Sequence, residues 1–246
     1  MSRRHIRAVL GVPVVGALGG LLLWGHTGAA AFGGPLHAYP QLLNAIALPQ
    51  RHTTNVVTAV VFDYRGFDTM GEEFILFASV VGVVLLLRDD RQPQARPARD
   101  PVGSDMLPTF GVVLVGLTVL VGIWLAAFGL VTPGGGFQGG VAIAAGLVVV
   151  FLTAGYGAWR SFGRERFLDP FEGVGAGVYV ALGLAAVISG APFLHNLLAG
   201  GPAGTPFSGG SMVLLNWAVA VEVAAANLVL YTEFIESYLV PRLSRA

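Results

Sequence analysis

Two stretches of the chain, Met106 to Trp159 and Gly173 to Val221, contain no Asp, Glu, Lys or Arg. Each is long enough for two bilayer crossings at about 20 residues apiece. With the other apolar runs, this pattern predicts helices over roughly 7–25, 70–88, 107–131, 138–158, 172–190 and 210–234. The expected fold is an all-α integral membrane protein of about six transmembrane helices. The basic start Ser2-Arg3-Arg4-His5-Ile6-Arg7, followed by an apolar run to Trp24, has the form of a secretory signal with Ala29-Ala30-Ala31 behind it. It is read here as a retained first helix.

The arginines fix the expected topology. With both termini cytoplasmic, Arg3, Arg4, Arg7, Arg88, Arg91, Arg96, Arg99, Arg160, Arg164, Arg166, Arg242 and Arg245 fall inside, and only Arg51 and Arg65 fall outside. That is a strong positive-inside bias. The segment from Arg88 to Asp105 is polar, carries both signs of charge and contains Pro93, Pro97 and Pro101, so neither flanking helix continues through it. Residues 91–105 are therefore read as a polar cytoplasmic linker between a two-helix domain (1–90) and a four-helix domain (106–246). The outer segment from Gly25 to Thr69 is long for a loop, and Asn55 to Phe62 within it is apolar enough to lie along the membrane surface as a short helix.

Composition agrees: 54% of the 246 residues are hydrophobic, 11% are charged and the mean hydropathy is +0.72. Soluble domains carry about 25% charge. The absence of cysteine excludes disulfides, thiolate metal sites and cysteine nucleophiles, and the zero net charge argues against a nucleic-acid partner. All 14 basic residues are arginine, so no lysine is present to relay protons.

A few polar residues interrupt the apolar runs. The charge-free part of the second helix, Phe74 to Leu87, is only 14 residues, about 21 Å of a core about 30 Å thick. Glu72 and Glu73 therefore either sit in the headgroups at a helix start, where negative charge is favoured, or lie inside the outer boundary, making Glu72 a proton or cation stop. Glu222 falls near the midplane of the last helix with no obvious basic partner at that depth. It is expected to face another subunit or a hydrated path, the alternative being a protonated residue hydrogen-bonded within the bundle. Asn216 and Asn227, eleven residues apart, share a helix face from which Glu222 points away, and interhelical hydrogen bonding is their ordinary role.

The turn Pro133-Gly134-Gly135-Gly136-Phe137-Gln138-Gly139-Gly140 formally contains G-x-G-x-x-G, but no strand precedes it and no acid follows at the required distance. It reads as a tight hairpin between two spans. His26 and His195 are isolated, so no metal site is expected, and no catalytic constellation or cofactor site can be assembled.

Two longer strings carry a resemblance. Asn55 to Glu72, NVVTAVVFDYRGFDTMGE, resembles a segment of the MbhE-like domain that ends the large MrpA subunit of Mrp antiporters and recurs in membrane-bound hydrogenases. Thr132 to Gly140, TPGGGFQGG, resembles the signature of the MrpB (MnhB) family, and Ser208-Gly209-Gly210-Ser211 leading into a helix with Asn216 and Glu222 is similar to the end of that domain. The resemblance implies a non-autonomous subunit of a multi-subunit Mrp-type Na+/proton antiporter in a bacterial inner membrane, beside MrpA, MrpD and small subunits such as MrpC. It also implies that the complex exchanges cytoplasmic sodium or another monovalent cation for external protons. The acidic positions of the first motif are implicated in the cation route, which makes Asp68 and Glu72, with Glu73 and Glu222, the candidate cation/proton path. Asp63 and Arg65 are expected to pair and brace the loop. The competing expectation is the ion-translocating module of a membrane-bound hydrogenase or related respiratory complex.

Overall fold

The structure is a computed structural model describing residues 3–28, 37–88, 106–162, 168, 170–171, 173–198 and 200–239. The expected linker 91–105 lies outside the described residues, as do Arg91, Arg96, Arg99, Arg164, Arg166, Arg242 and Arg245 of the topology argument. Backbone contacts divide the chain into Met1–Gln41 and Leu42–Ala246. The first part contains α1 (Arg3–Thr27), a 25-residue helix with Pro13 inside it.

Helix α2 (Ala38–Arg51) spans the division; Leu43 and Ala47 are its buried residues. The hydropathy pattern did not predict this helix, because Pro40, Pro49 and several polar residues interrupt its apolar spacing. Next comes α3 (Val56–Ala59), which runs without a break into a wider π-turn at Val60–Tyr64 and then into α4 (Gly66–Leu87). The short helix expected over Asn55–Phe62 therefore exists, but it packs inward: Thr58, Ala59 and Phe62 are buried. The remaining helices are α5 (Met106–Ala127), α6 (Gly136–Phe162), α7 (Val174–Ile188) and α8 (Ser211–Leu239).

Among the described residues, Gly66–Leu87, Pro108–Ala127, Gly136–Trp159 and Ser211–Ser237 are long and apolar enough to cross a bilayer. Gly11–Thr27 and Val174–Ile188 are shorter apolar helices at the places of the two other predicted spans. The core is built around α8, which touches α4, α5, α6 and α7. In its apolar window 61% of residues are buried, against 11% to 22% in the other three long spans. Those three carry apolar side chains on nearly all faces, which suits lipid or neighbouring protein as their surroundings.

Close backbone approach explains the small residues. Antiparallel α5 and α6 meet where Gly111 faces Thr153, Gly146 faces Thr118 and Gly122 faces Ile143. A Cβ on Gly139 would lie 2.6 Å from the Gly122 carbonyl oxygen, and one on Gly140 would lie 2.7 Å from the Ala220 carbonyl oxygen. Thus two consecutive glycines of the hairpin motif seat α6 against α5 on one side and α8 on the other. Near its far end α6 breaks at Gly155 (φ 81°, ψ −176°), and the next turn buries Tyr156 and Trp159 against Ala144 and Leu228.

Candidate functional site

The two sequence motifs are bonded to each other. The last turn of α5 and the residues after it leave carbonyl groups without helical partners. The segment running from Thr53 into α3 supplies donors to them: Asn55 Nδ2 donates to the carbonyls of Gly129 (2.7 Å) and Thr132 (3.0 Å), and the Thr58 hydroxyl donates to Gly129 (2.6 Å). Thr54 donates to Val131 at 2.6 Å, and Thr53 bonds to Leu130. Asn55 also caps α3, its Oδ1 accepting from Val57 N at 3.1 Å. Polar residues of this segment therefore serve the backbone of the turn that precedes the glycine hairpin.

Across the hairpin, Asn216 of α8 is fully buried and acts as a two-way clasp. Its Oδ1 accepts from Gly136 N at 2.7 Å, satisfying a donor at the start of α6, and its Nδ2 donates to the Ala126 carbonyl at 2.7 Å at the end of α5. Gly134 and Gly135 adopt φ of 150° and 137°, a region that disfavours any side chain. Phe137 packs against the core formed by Phe62, Leu130, Tyr179 and Val219. Asn227 instead bonds back to Val223 O of its own helix at 2.8 Å, so of the two asparagines only Asn216 makes the expected interhelical bond.

The acidic candidates separate into two groups. Helix α4 begins at Gly66, earlier than expected, so Asp68, Glu72 and Glu73 all lie inside it. Asp68 and Glu72 are exposed, Asp68 forming an ion pair with Arg65 at 2.5 Å on the same face. Glu73 points the other way and is fully buried, as is Glu222. The expected Asp63–Arg65 pair does not form: Asp63 accepts from Arg51 at 2.7 Å, and the Arg51 guanidinium also lies 5.3 Å from the centre of the Tyr64 ring. The π-turn accounts for this, because it rotates Asp63 toward α2 while Arg65 starts α4.

Glu73 and Glu222 meet at Gly175 of α7. A Cβ there would overlap Glu222 Oε2 and lie 2.7 Å from Glu73 Oε2, so the missing side chain makes the space that both carboxyl groups occupy. Glu222 Oε2 accepts from Ala176 N at 2.7 Å, whereas Glu222 Oε1 and both oxygens of Glu73 accept no hydrogen bond from the described residues and lie against each other's carboxyl groups. Nearby, the fully buried Tyr179 carries a hydroxyl flanked by Glu73 and Thr69. Thr69 and Glu73 are one turn apart on α4, and Gly175 and Tyr179 one turn apart on α7, so three helices each present polar groups to one point. No basic side chain among the described residues pairs with either glutamate. Of the surroundings expected for Glu222, another subunit is not what it meets in this structure: it is turned into the bundle, toward a second acid.

Further along the same two helices a second acid is compensated. Glu233 is fully buried and accepts from Arg88 Nε at 3.0 Å, with Arg88 Nη2 also at 3.0 Å. Between the two acidic positions lie the buried apolar residues Val80, Ala226 and Val229. Because Glu73 meets Glu222 and Arg88 meets Glu233, α4 and α8 run parallel. Eleven residues of helix, about 16 Å, separate the paired from the unpaired acid on α8.

Sequence reasoning placed Glu73 and Glu222 among the path candidates but did not bring them together, and it passed over Thr69, Gly175, Tyr179, Arg88 and Glu233 as site residues. A tyrosine and a glycine pair, Gly173/Gly177, within an otherwise apolar helix were the available signal for α7.

Comparison with known proteins follows the same lines. Residues 38–106 match the MbhE family of MBH subunits, and residues 106–229 match the family described as a domain related to the MnhB subunit of Na+/H+ antiporter. An uncharacterized protein of Methanocaldococcus jannaschii is 30% identical over 169 residues, covering 63% of this chain and 64% of that protein. A probable A/B subunit of a K(+)/H(+) antiporter of Rhizobium meliloti is 29% identical over 250 residues, covering 88% of this chain and 24% of its own. The chain thus spans less than two thirds of either relative's length. Among solved structures, a chain of the membrane-bound sulfane sulfur reductase, an archaeal respiratory membrane complex, superposes with a TM-score of 0.73 at 26% identity, covering 96% of this chain and 99% of that one. A chain of the Mrp complex from Dietzia sp. superposes with a TM-score of 0.67 at 25% identity, covering 95% of this chain and 26% of that one. The second family match takes in just over half of the residues, and the chain is a multi-pass membrane protein belonging to the family of domains related to the MnhB subunit of Na+/H+ antiporters.

Proposed function

We propose that the chain is a non-autonomous subunit of a multi-subunit Mrp-type antiporter, exchanging sodium or another monovalent cation for protons across a bacterial plasma membrane. In this reading residues 1–90 supply the MbhE-like part and 106–246 the MnhB-like part, and the partners are MrpA, MrpD and small subunits such as MrpC. Inward-facing Glu73 and Glu222 and outward-facing Asp68 and Glu72 line the route of the transported ions. The observation that carries it is the Glu73–Glu222 pair. Two acids in contact inside an apolar bundle, with no cationic side chain beside them among the described residues, require a proton or a metal cation for charge balance, since a bare buried charge costs several kcal/mol.

The absence of lysine supports an auxiliary role in which other subunits provide the main proton relay. The exposed acidic face of α4 supports a route shared with a neighbour. A second reading, the ion-translocating module of a redox-coupled complex, is favoured by the superposition on almost all of a chain from the sulfane sulfur reductase complex. Neighbouring genes separate the two: redox subunits favour the second, the remaining Mrp subunits alone the first.

The test is collapse of a pH gradient by added sodium in vesicles carrying the whole complex. Glu73→Gln and Glu222→Gln are each expected to reduce sodium-dependent collapse at least tenfold with assembly unchanged. Wild-type rates in both variants refute the assignment.

A further inference from the structure

Three carboxyl oxygens that accept no hydrogen bond from the described residues belong to this one cluster, Glu73 Oε1 and Oε2 and Glu222 Oε1, and the Tyr179 hydroxyl lies beside them. All three side chains are fully buried. The fourth carboxyl oxygen, Glu222 Oε2, is held by Ala176 N, which leaves Oε1 as the free one. Thr69 stands beside Tyr179, and Gly175 keeps the space between the carboxyl groups open. A proton shared between two carboxyl groups would engage only two of these oxygens. It leaves one Glu73 oxygen and the adjoining Tyr179 and Thr69 hydroxyls outside the shared bond.

We propose that this cluster is a binding site for one dehydrated monovalent cation of about the size of sodium, with Glu73, Glu222 Oε1, Tyr179 and Thr69 as oxygen ligands. The inference rests on the functional reading above and adds the ligand set. Hard cations prefer carboxylate, hydroxyl and carbonyl oxygen, and a ring of such oxygens replaces the hydration shell that the ion loses on leaving water. Charge balance sets the exchange. With both carboxyl groups protonated the site is neutral, and with one proton replaced by one cation it is neutral again. A one-for-one swap therefore avoids a net charge in the low-dielectric interior in either state. The site is a point of competition between the two ions and not merely a conduit for one of them.

The test is equilibrium binding of radioactive sodium to the purified whole complex, with unlabelled sodium, lithium and potassium as competitors, across a range of pH. In the wild type the half-saturating sodium concentration is expected to rise as pH falls, and Glu73→Gln is expected to lose one bound ion per complex. Tyr179→Phe and Thr69→Val, which remove one neutral ligand and keep both carboxyl groups, are each expected to raise the half-saturating concentration about tenfold. Co-purification of the other subunits reports assembly, and either variant alone carries the test if the other fails to assemble. Wild-type binding in both neutral variants overturns the cation site; if the two glutamine variants also stop transport, the pair handles protons only and the functional reading stands. Normal transport in Glu73→Gln and Glu222→Gln overturns both.

Discussion

Replacing Asn216 by alanine removes both halves of the clasp that joins the ends of α5 and α6 to α8. Gly136 N, at the start of α6, loses the acceptor at 2.7 Å and is left buried without a partner. The Ala126 carbonyl loses the donor at 2.7 Å but keeps Gly129 N at 3.3 Å. An orphaned buried donor costs about 1–3 kcal/mol, and a lost hydrogen bond whose acceptor keeps another partner about 0.5–1.5 kcal/mol, so the expected loss is about 2–4 kcal/mol. For a chain of this size each kcal/mol moves Tm by about 2–4 °C, which gives a drop of roughly 4–16 °C in a thermal scan of the purified complex in detergent. Asn216→Asp is expected to fall in between, because it keeps an acceptor at the start of α6, where negative charge is favoured, and loses only the donor. A change under about 1 °C in Asn216→Ala, or an aspartate variant less stable than the alanine one, would refute this account of the hairpin.

Two further outcomes follow from the packing. Gly140→Ala places a Cβ 2.7 Å from the Ala220 carbonyl oxygen and 2.8 Å from Val223 Cβ, so α6 and α8 must separate; the yield of assembled complex is expected to drop severalfold, whereas Gly177→Ala, whose Cβ meets nothing within 4 Å among the described residues, leaves it unchanged. Glu72→Gln alters an exposed position; it is expected to leave the thermal midpoint within about 2 °C of wild type, as surface changes usually fall within about ±0.5 kcal/mol, while slowing sodium-dependent transport in vesicles.

Much of the fold was legible because lipid imposes a coarse rule on charge-free runs: Met106 to Trp159 folds as two long apolar helices joined by a turn, and Gly173 to Val221 as a shorter apolar helix, a loop and the start of a long one. The hairpin glycines were legible as a tight turn, but their second role, seating α6 against α5 and α8, depends on helices distant in sequence. Helix α2 escaped because two prolines and scattered polar residues blur its period. The short charge-free stretch after Glu73 pointed to an acid within this helix, and Asp68, Glu72 and Glu73 all lie in α4. Which of Glu72 and Glu73 turned inward depended on the rotation of α4, fixed by packing against α7 and α8 and by the π-turn that precedes it. The same limit hid the pairing of Glu73 with Glu222, 149 positions apart, and the swap by which Asp63 takes Arg51 while Arg65 takes Asp68.

The central claim is geometric: Glu73, and not its neighbour Glu72, meets Glu222 inside the chain. Because the chain has no native cysteine, the double variants Glu73→Cys/Glu222→Cys and Glu72→Cys/Glu222→Cys can be compared directly, with a protease site inserted between residues 91 and 105. After oxidation or treatment with a short thiol cross-linker in the assembled complex, followed by cleavage, the account expects the two fragments to stay joined in the first variant and to part in the second. Fragments that part in the first variant and stay joined in the second would contradict it.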